Sequence, residues 1–261
     1  MCLIALSWKQ HPRYRLALIA NRDEAHDRAA SPAGVDPVDP ALYGGRDLLA
    51  GGSWLMASTH GRLAAVTNVR AGAPEGPMPR SRGALVHGFA ADDRGVDGLA
   101  DLAPQAAGFG RFNLLGFDGT RLAFASNYPQ FRTYEVPPGL HAMSNGDFDA
   151  PCPKSGHATR ALERWLASPA ARAGQTDDDA LAPLFEALAD TTPAPDDTLP
   201  DTGVGLPLER LLSPPFVRGE RYGTRCSSIV LIEDERLTFV EQSFGPNGLR
   251  LGRTRAAFGI A

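Results

Sequence analysis

Apolar residues run almost unbroken from 2 to 8 (CLIALSW) and stop at the polar Lys9-Gln10-His11-Pro12-Arg13. The run is too short for a helix and predicts a strand buried on both faces. Residues 14–20 predict a second strand, and the polar gap between the two suits a hairpin. The pattern recurs downstream. Gly51-Gly52 predicts a turn before a strand at 54–58, and His60-Gly61-Arg62 turns the chain into a partner strand at 63–69. Residues 112–117 and 122–126 flank Asp118-Gly119 as a third hairpin. Short strands are predicted near 131–136 and 141–144, then at 227–233 and 237–242 around Asp234-Glu235-Arg236, with another near Leu249.

Helical patterns lie in the middle of the chain, at 83–91, 96–105, 156–167 and 177–189. Ser155 is the expected N-cap of the third and Thr176 of the fourth, where Asp177-Asp178-Asp179 suit the positive end of the dipole. Residues 71–79 (AGAPEGPMP) read as an irregular loop. The Pro/Asp-rich stretch 191–203 reads as an excursion within one domain spanning 1–261, because little core lies beyond it. Strand–helix–strand alternation is absent. The expected class is therefore α+β, with two antiparallel sheets stacked face to face and helices outside.

Composition narrows the function. A formal net charge of −4 argues against a nucleic-acid partner. No stretch approaches the ~18 apolar residues of a membrane-spanning helix, and the first ten residues lack the basic start of a secretion signal, so no integral membrane association is expected. The three cysteines, Cys2, Cys152 and Cys226, show no CxxC spacing; they suit a reducing, cytoplasmic setting better than a disulfide framework or a zinc site. Trp8, Trp54 and Trp165 read as core residues, and none of the six histidines sits in a catalytic motif.

The first hairpin brings chemistry together. Pairing of 2–8 with 14–20 places Asn21-Arg22-Asp23-Glu24 beside Cys2. An arginine and a carboxylate near a thiol are the groups that tune a nucleophile. The register is open by one residue: in one alignment Arg22 shares the face of Cys2, in the other Asn21 and Asp23 do. Removal of Met1 would leave Cys2 with a free α-amine of pKa near ~8, a built-in base for a thiol near ~8.5.

Asn21-Arg22-Asp23-Glu24 spells the signature of the NRDE family, whose animal members are called transport and Golgi organisation proteins. The chain resembles that family in further ordered segments: Gly51-Gly52-Ser53-Trp54-Leu55, Ala65-Val66-Thr67-Asn68, Arg80-Ser81-Arg82-Gly83, Phe112-Asn113-Leu114, Met143-Ser144-Asn145 and Tyr222-Gly223-Thr224-Arg225. It departs at Ser53, where the family often has Thr, and at Met56, often Gly, which is expected to narrow a groove near that strand. The family in turn looks like the Cys-type N-terminal-nucleophile hydrolases, which have an αββα sandwich.

That resemblance implies roles residue by residue. Cys2 would be the nucleophile and Asp23 would hold the α-amine. Asn68 and Asn145 would supply oxyanion donors, and Arg225 would orient the amine or thiol. Arg22 transfers least well, since adjacent residues on a straight strand point to opposite faces. The resemblance also implies handling of haem or of an acyl-type, apolar and acidic ligand such as an acyl-coenzyme A, with haem a transported ligand and no cofactor required. The alternative it implies is a Cys-dependent amidohydrolase or acyltransferase acting on an amide or thioester.

Overall fold

The computed structural model describes residues 2–72 and 76–260. The side chain of Cys2, the expected nucleophile, lies outside the described residues, as do Met1, Ala261 and residues 73–75 of the expected 71–79 loop.

Among the described residues, thirteen strands form two antiparallel sheets. The strands are β1 (Cys2–Trp8), β2 (Leu16–Ala25), β3 (Ala30–Val35), β4 (Leu42–Asp47), β5 (Leu55–Ser58), β6 (Leu63–Asn68), β7 (Phe112–Phe117), β8 (Leu122–Ser126), β9 (Arg132–Glu135), β10 (Gly139–Met143), β11 (Tyr222–Ile232), β12 (Arg236–Phe244) and β13 (Arg250–Gly259). The helices are α1 (Gly83–Ala91), α2 (Pro153–Leu166), α3 (Pro169–Ala173), α4 (Asp178–Leu188) and α5 (Leu206–Leu211). The first sheet runs β10-β1-β2-β11-β12-β13, and the second is a meander from β3 to β9. Strands on either side of 191–203 therefore share the first sheet.

Three apolar layers hold this together. Ile4, Leu6, Leu18, Val230 and Phe239 of the first sheet pack against Leu55, Leu63, Leu115 and Phe124 of the second. The opposite face of the first sheet, with Leu3, Ala5, Ile19 and Leu231, packs on Leu162 and Trp165 of α2 and Leu181 and Leu184 of α4. The outer face of the second sheet, with Met56, Val66 and Leu114, packs under Val86 and Phe89 of α1. This is the α+β, αββα sandwich. It also explains why strands such as β1 lack alternation: both faces are covered, and each fully buried large side chain contributes roughly 1.5–3 kcal/mol.

Several local expectations shift. Helix α2 begins at Pro153 with Cys152 at the cap, so Ser155 lies inside its first turn. Proline suits that start because its missing N–H has no helical partner to lose. At α4 the cap is Asp177, whose Oδ1 accepts from Ala180 N at 2.9 Å, one residue beyond Thr176. Residues 95–108 form a 3-10 segment with Pro104 inside it. Met56 is fully buried against α1 and so narrows no groove.

Candidate functional site

The β1–β2 ladder settles the register: Cys2 pairs with Arg22, Leu3 with Asn21 and Ile4 with Ala20. On its other side Arg22 pairs with Cys226 of β11. Arg22 thus stands between two cysteine positions on neighbouring strands. Alternation then separates the signature residues. Arg22 follows Leu16, Leu18 and Ala20 onto the face between the sheets, while Asn21 and Asp23 follow Ala17 and Ile19 onto the helix face.

Each is held accordingly. Asn21 donates to the carbonyls of Leu188 and Pro215 and accepts from Ser227 Oγ at 2.6 Å, anchoring β2 to the end of α4. Asp23, 2% exposed, accepts from Thr224 Oγ1 at 2.6 Å. Burial pushes its carboxyl up, against the opposing pull of the Lys154 ammonium and the Thr224 hydroxyl. Arg22, 6% exposed, lies 4.2 Å from the ring centre of Trp54 and 3.8 Å from Glu24.

Arg225 occupies a β-bulge. Thr224 pairs with Asp23 and Cys226 with Arg22, so Arg225 is the extra residue between them. It donates through Nη1 to the carbonyls of Ala25 and Arg28. Cys226 is buried, and burial followed by the nearby Glu241 carboxylate pushes its thiol well up.

Asn68 closes β6 and Asn145 sits in the loop after β10, yet they meet: Asn145 Nδ2 donates at 2.8 Å to both the carbonyl and the Oδ1 of Asn68. The loop is fixed further by Arg70 N donating to Asn145 O and Thr67 Oγ1 to Ser144 O. The two asparagines come together, as do Arg22 and Arg225 beside the bulge; Asp23 is on the far face of β2 from Arg22.

A cleft of about 750 Å³ is lined by Arg22, Asp23 and Asn68, while Asn145 and Arg225 line neighbouring cavities. Five further arginines line the cleft: Arg28, Arg70, Arg80, Arg82 and Arg111. Three acids, Asp23, Glu24 and Asp47, oppose six arginines there, so the cleft is cationic although the chain carries −4. Arg28 pairs with Asp47 at 2.7 Å and Arg70 with the buried Glu209 at 2.7 Å. Trp54, Met78 and Leu208 add apolar wall. Trp54 therefore lines the site, unlike Trp8 and Trp165, which are core as expected. Arg22 is a candidate from the sequence, whereas the other five cleft arginines come from separate loops and are not legible there as a group, apart from Arg80 and Arg82 in the Arg80-Ser81-Arg82-Gly83 segment.

A family model, Transport and Golgi organisation 2, matches residues 1–246. The human Transport and Golgi organization protein 2 homolog is 30% identical over 279 residues, covering 98% of this chain and 97% of that protein. The mouse Transport and Golgi organization 2 homolog is 28% identical, covering 93% of each. Among solved structures, a mutant of conjugated bile acid hydrolase from Clostridium perfringens gives a TM-score of 0.55 at 8% identity, over 98% of this chain and 92% of that one. A second variant of that enzyme gives 0.52 at 8% identity, over 99% and 92%. The structural likeness is one of fold, the sandwich of N-terminal-nucleophile hydrolases. With almost its whole length matched in sequence, the chain belongs to the Transport and Golgi organisation 2 family.

Proposed function

We propose that the protein binds and hands on an apolar ligand with acidic groups, haem or an acyl-coenzyme A, in the cleft beside Cys2. The observation that carries this reading is the cleft's lining: six arginines over an apolar wall that includes Trp54, Met78 and Leu208. Arginine forks suit carboxylates and phosphates, and the apolar wall suits a porphyrin or an acyl chain. The ligand is cargo, so no resident cofactor is invoked. A cytoplasmic setting fits the free Cys152 and Cys226 thiols.

Titration of the apo protein tests it. Haem is expected to give a saturable Soret shift, and a fluorescent acyl-coenzyme A a saturable anisotropy change. The double variant Arg80→Gln/Arg82→Gln is expected to weaken the bound ligand about tenfold or more and to flatten its salt dependence. No saturable binding of either probe removes the carrier reading.

A second reading, acyl transfer through Cys2, is favoured by the Asn68–Asn145 pair and the Arg22 register. After Met1 removal, the thiol would attack an amide or thioester carbonyl and pass its proton to the α-amine. The amine would return that proton to the departing nitrogen or sulfur, and water would release the acyl group from Cys2. In this scheme Asp23 holds the α-amine and Arg225 supports the charge balance around Arg22. Asn68 is the oxyanion donor, and Asn145 fixes its amide. Intact mass is expected to show loss of one Met, and iodoacetamide to label Cys2 before Cys152 and the buried Cys226. Retained Met1 ends this mechanism.

A further inference from the structure

A second cavity of about 220 Å³ lies against the first, and Arg22 and Trp54 line both. Their stack is therefore a partition. It is built deliberately into the fold: a Cβ on Gly45 would come within 2.0 Å of the Trp54 ring, so glycine leaves the slot that holds the indole flat.

Two donors in this partition find no acceptor among the described residues. Arg22 Nη1 and Trp54 Nε1 are both buried from solvent and unbonded. Buried donors without acceptors are costly, and an arginine nitrogen most of all. The other charges in the second cavity are committed. Arg225 serves the carbonyls of Ala25 and Arg28. Arg253 reaches Asp178 at 3.1 Å and Gln242 at 3.3 Å. Glu241 accepts from Ala33 N at 2.7 Å and Ser228 Oγ at 3.1 Å.

We propose that this second cavity binds a short monocarboxylate, whose oxygens accept from Arg22 Nη1 and Trp54 Nε1. One unpaired guanidinium nitrogen and one unpaired indole N–H match one carboxylate. A dianion such as phosphate is disfavoured, because the Glu241 carboxyl stands in the same cavity. Phe244, Leu251 and Pro32 give the rest of the wall an apolar character that takes an alkyl tail of a few carbons. This site does not depend on Cys2 chemistry, but Arg22 and Trp54 line both cavities, so a ligand of the larger cleft that engages them competes with it.

The test uses butyrate on the full chain, followed by the indole N–H resonances of Trp8, Trp54 and Trp165 and by calorimetry. Butyrate is expected to shift the Trp54 resonance saturably and to leave Trp8 and Trp165 in place, while butylammonium and inorganic phosphate do neither. Trp54→Phe keeps the stacked ring and removes the donor; it is expected to weaken butyrate about tenfold, as loss of one charge-assisted hydrogen bond does. Arg22→Lys, which keeps the charge and loses the fork, is expected to weaken it likewise. Cys2→Ala is expected to bind butyrate unchanged, which separates this site from the acyl-transfer reading. An unmoved Trp54 resonance, an equal response to phosphate, undiminished affinity in Trp54→Phe, or loss of binding in Cys2→Ala overturns the proposal.

Discussion

Asn145 donates through one side-chain nitrogen to both the backbone carbonyl and the Oδ1 of Asn68, at 2.8 Å each, and so ties the loop after β10 to the end of β6. The pair spans 77 positions of sequence and joins the two sheets beside the cleft that Asn68 lines. An acceptor pinned in this way leaves the Asn68 amide nitrogen as the group free to turn toward a ligand.

Asn145→Ala removes both bonds and is expected to cost about 1–3 kcal/mol in urea denaturation. A double-mutant cycle with Asn68→Ala should return a coupling of about 0.5 kcal/mol or more, since the residues are in direct contact. A coupling near zero would mean that only the backbone carbonyl matters.

Asp23 carries a stability cost. Its carboxyl is pushed up by burial, so its folded value lies above the unfolded value of about 3.9. A carboxyl shifted in that direction loses stability as pH rises from the unfolded value through the folded one. Asp23→Asn is therefore expected to unfold at the same or higher urea concentration at neutral pH, while slowing iodoacetamide labelling of Cys2. A large destabilisation would instead mark the carboxylate as a structural group.

His141 behaves in the opposite sense. Its Nε2 lies 2.8 Å from the Pro137 carbonyl, which only accepts, and its Nδ1 lies 2.7 Å from Asp149 Oδ2. Burial alone would lower its pKa, but these two partners outweigh it and the net shift is upward. The resulting stability is fully present below the unfolded value of about 6.5 and is lost as pH rises through the higher folded value. Denaturation midpoints followed from about pH 6 to about pH 9 should fall accordingly. Asp149→Asn should flatten that fall, and an unchanged slope would exclude the pair as its source.

Gly45→Ala places a methyl group against the Trp54 ring. Overpacking of this kind costs typically about 1–3 kcal/mol, and the ring must move to relieve it. Thermal unfolding and the Trp54 indole resonance should both report the change; a silent substitution would mean that the ring is not confined by Gly45.

The hairpins were readable because their apolar runs are bounded by sharp polar turns. The helix at 83–91 and the strands at 112–117 and 122–126 were found at the bounds expected. Strands β3 and β4 were not, since ASPAGV and LYGGRD carry the Pro and Gly that usually end a strand. Pro32 is tolerated because β3 is a sheet edge. Gly44 and Gly45 are demanded by close neighbours, Leu55 with Met56 and Trp54, that sequence alone does not reveal. For the site, the nearness of Asn21 to Glu24 and Cys2 followed from a local hairpin. The rest of the arginine lining did not, because the five arginines other than Arg22 come from loops whose convergence depends on both sheets.

Strand β2 is laddered on both sides, to β1 and to β11. Its chemistry is therefore protected against changes of length rather than changes of side chain. One residue inserted between Leu16 and Arg22 would send Arg22 to the helix face and Asp23 to the face between the sheets, and both ladders would have to break to correct it. Insertions in the solvent-facing turn between Trp8 and Leu16 meet no such barrier, because the turn absorbs them before either ladder begins. Natural length variation in this hairpin should accordingly collect in the turn and spare the strand.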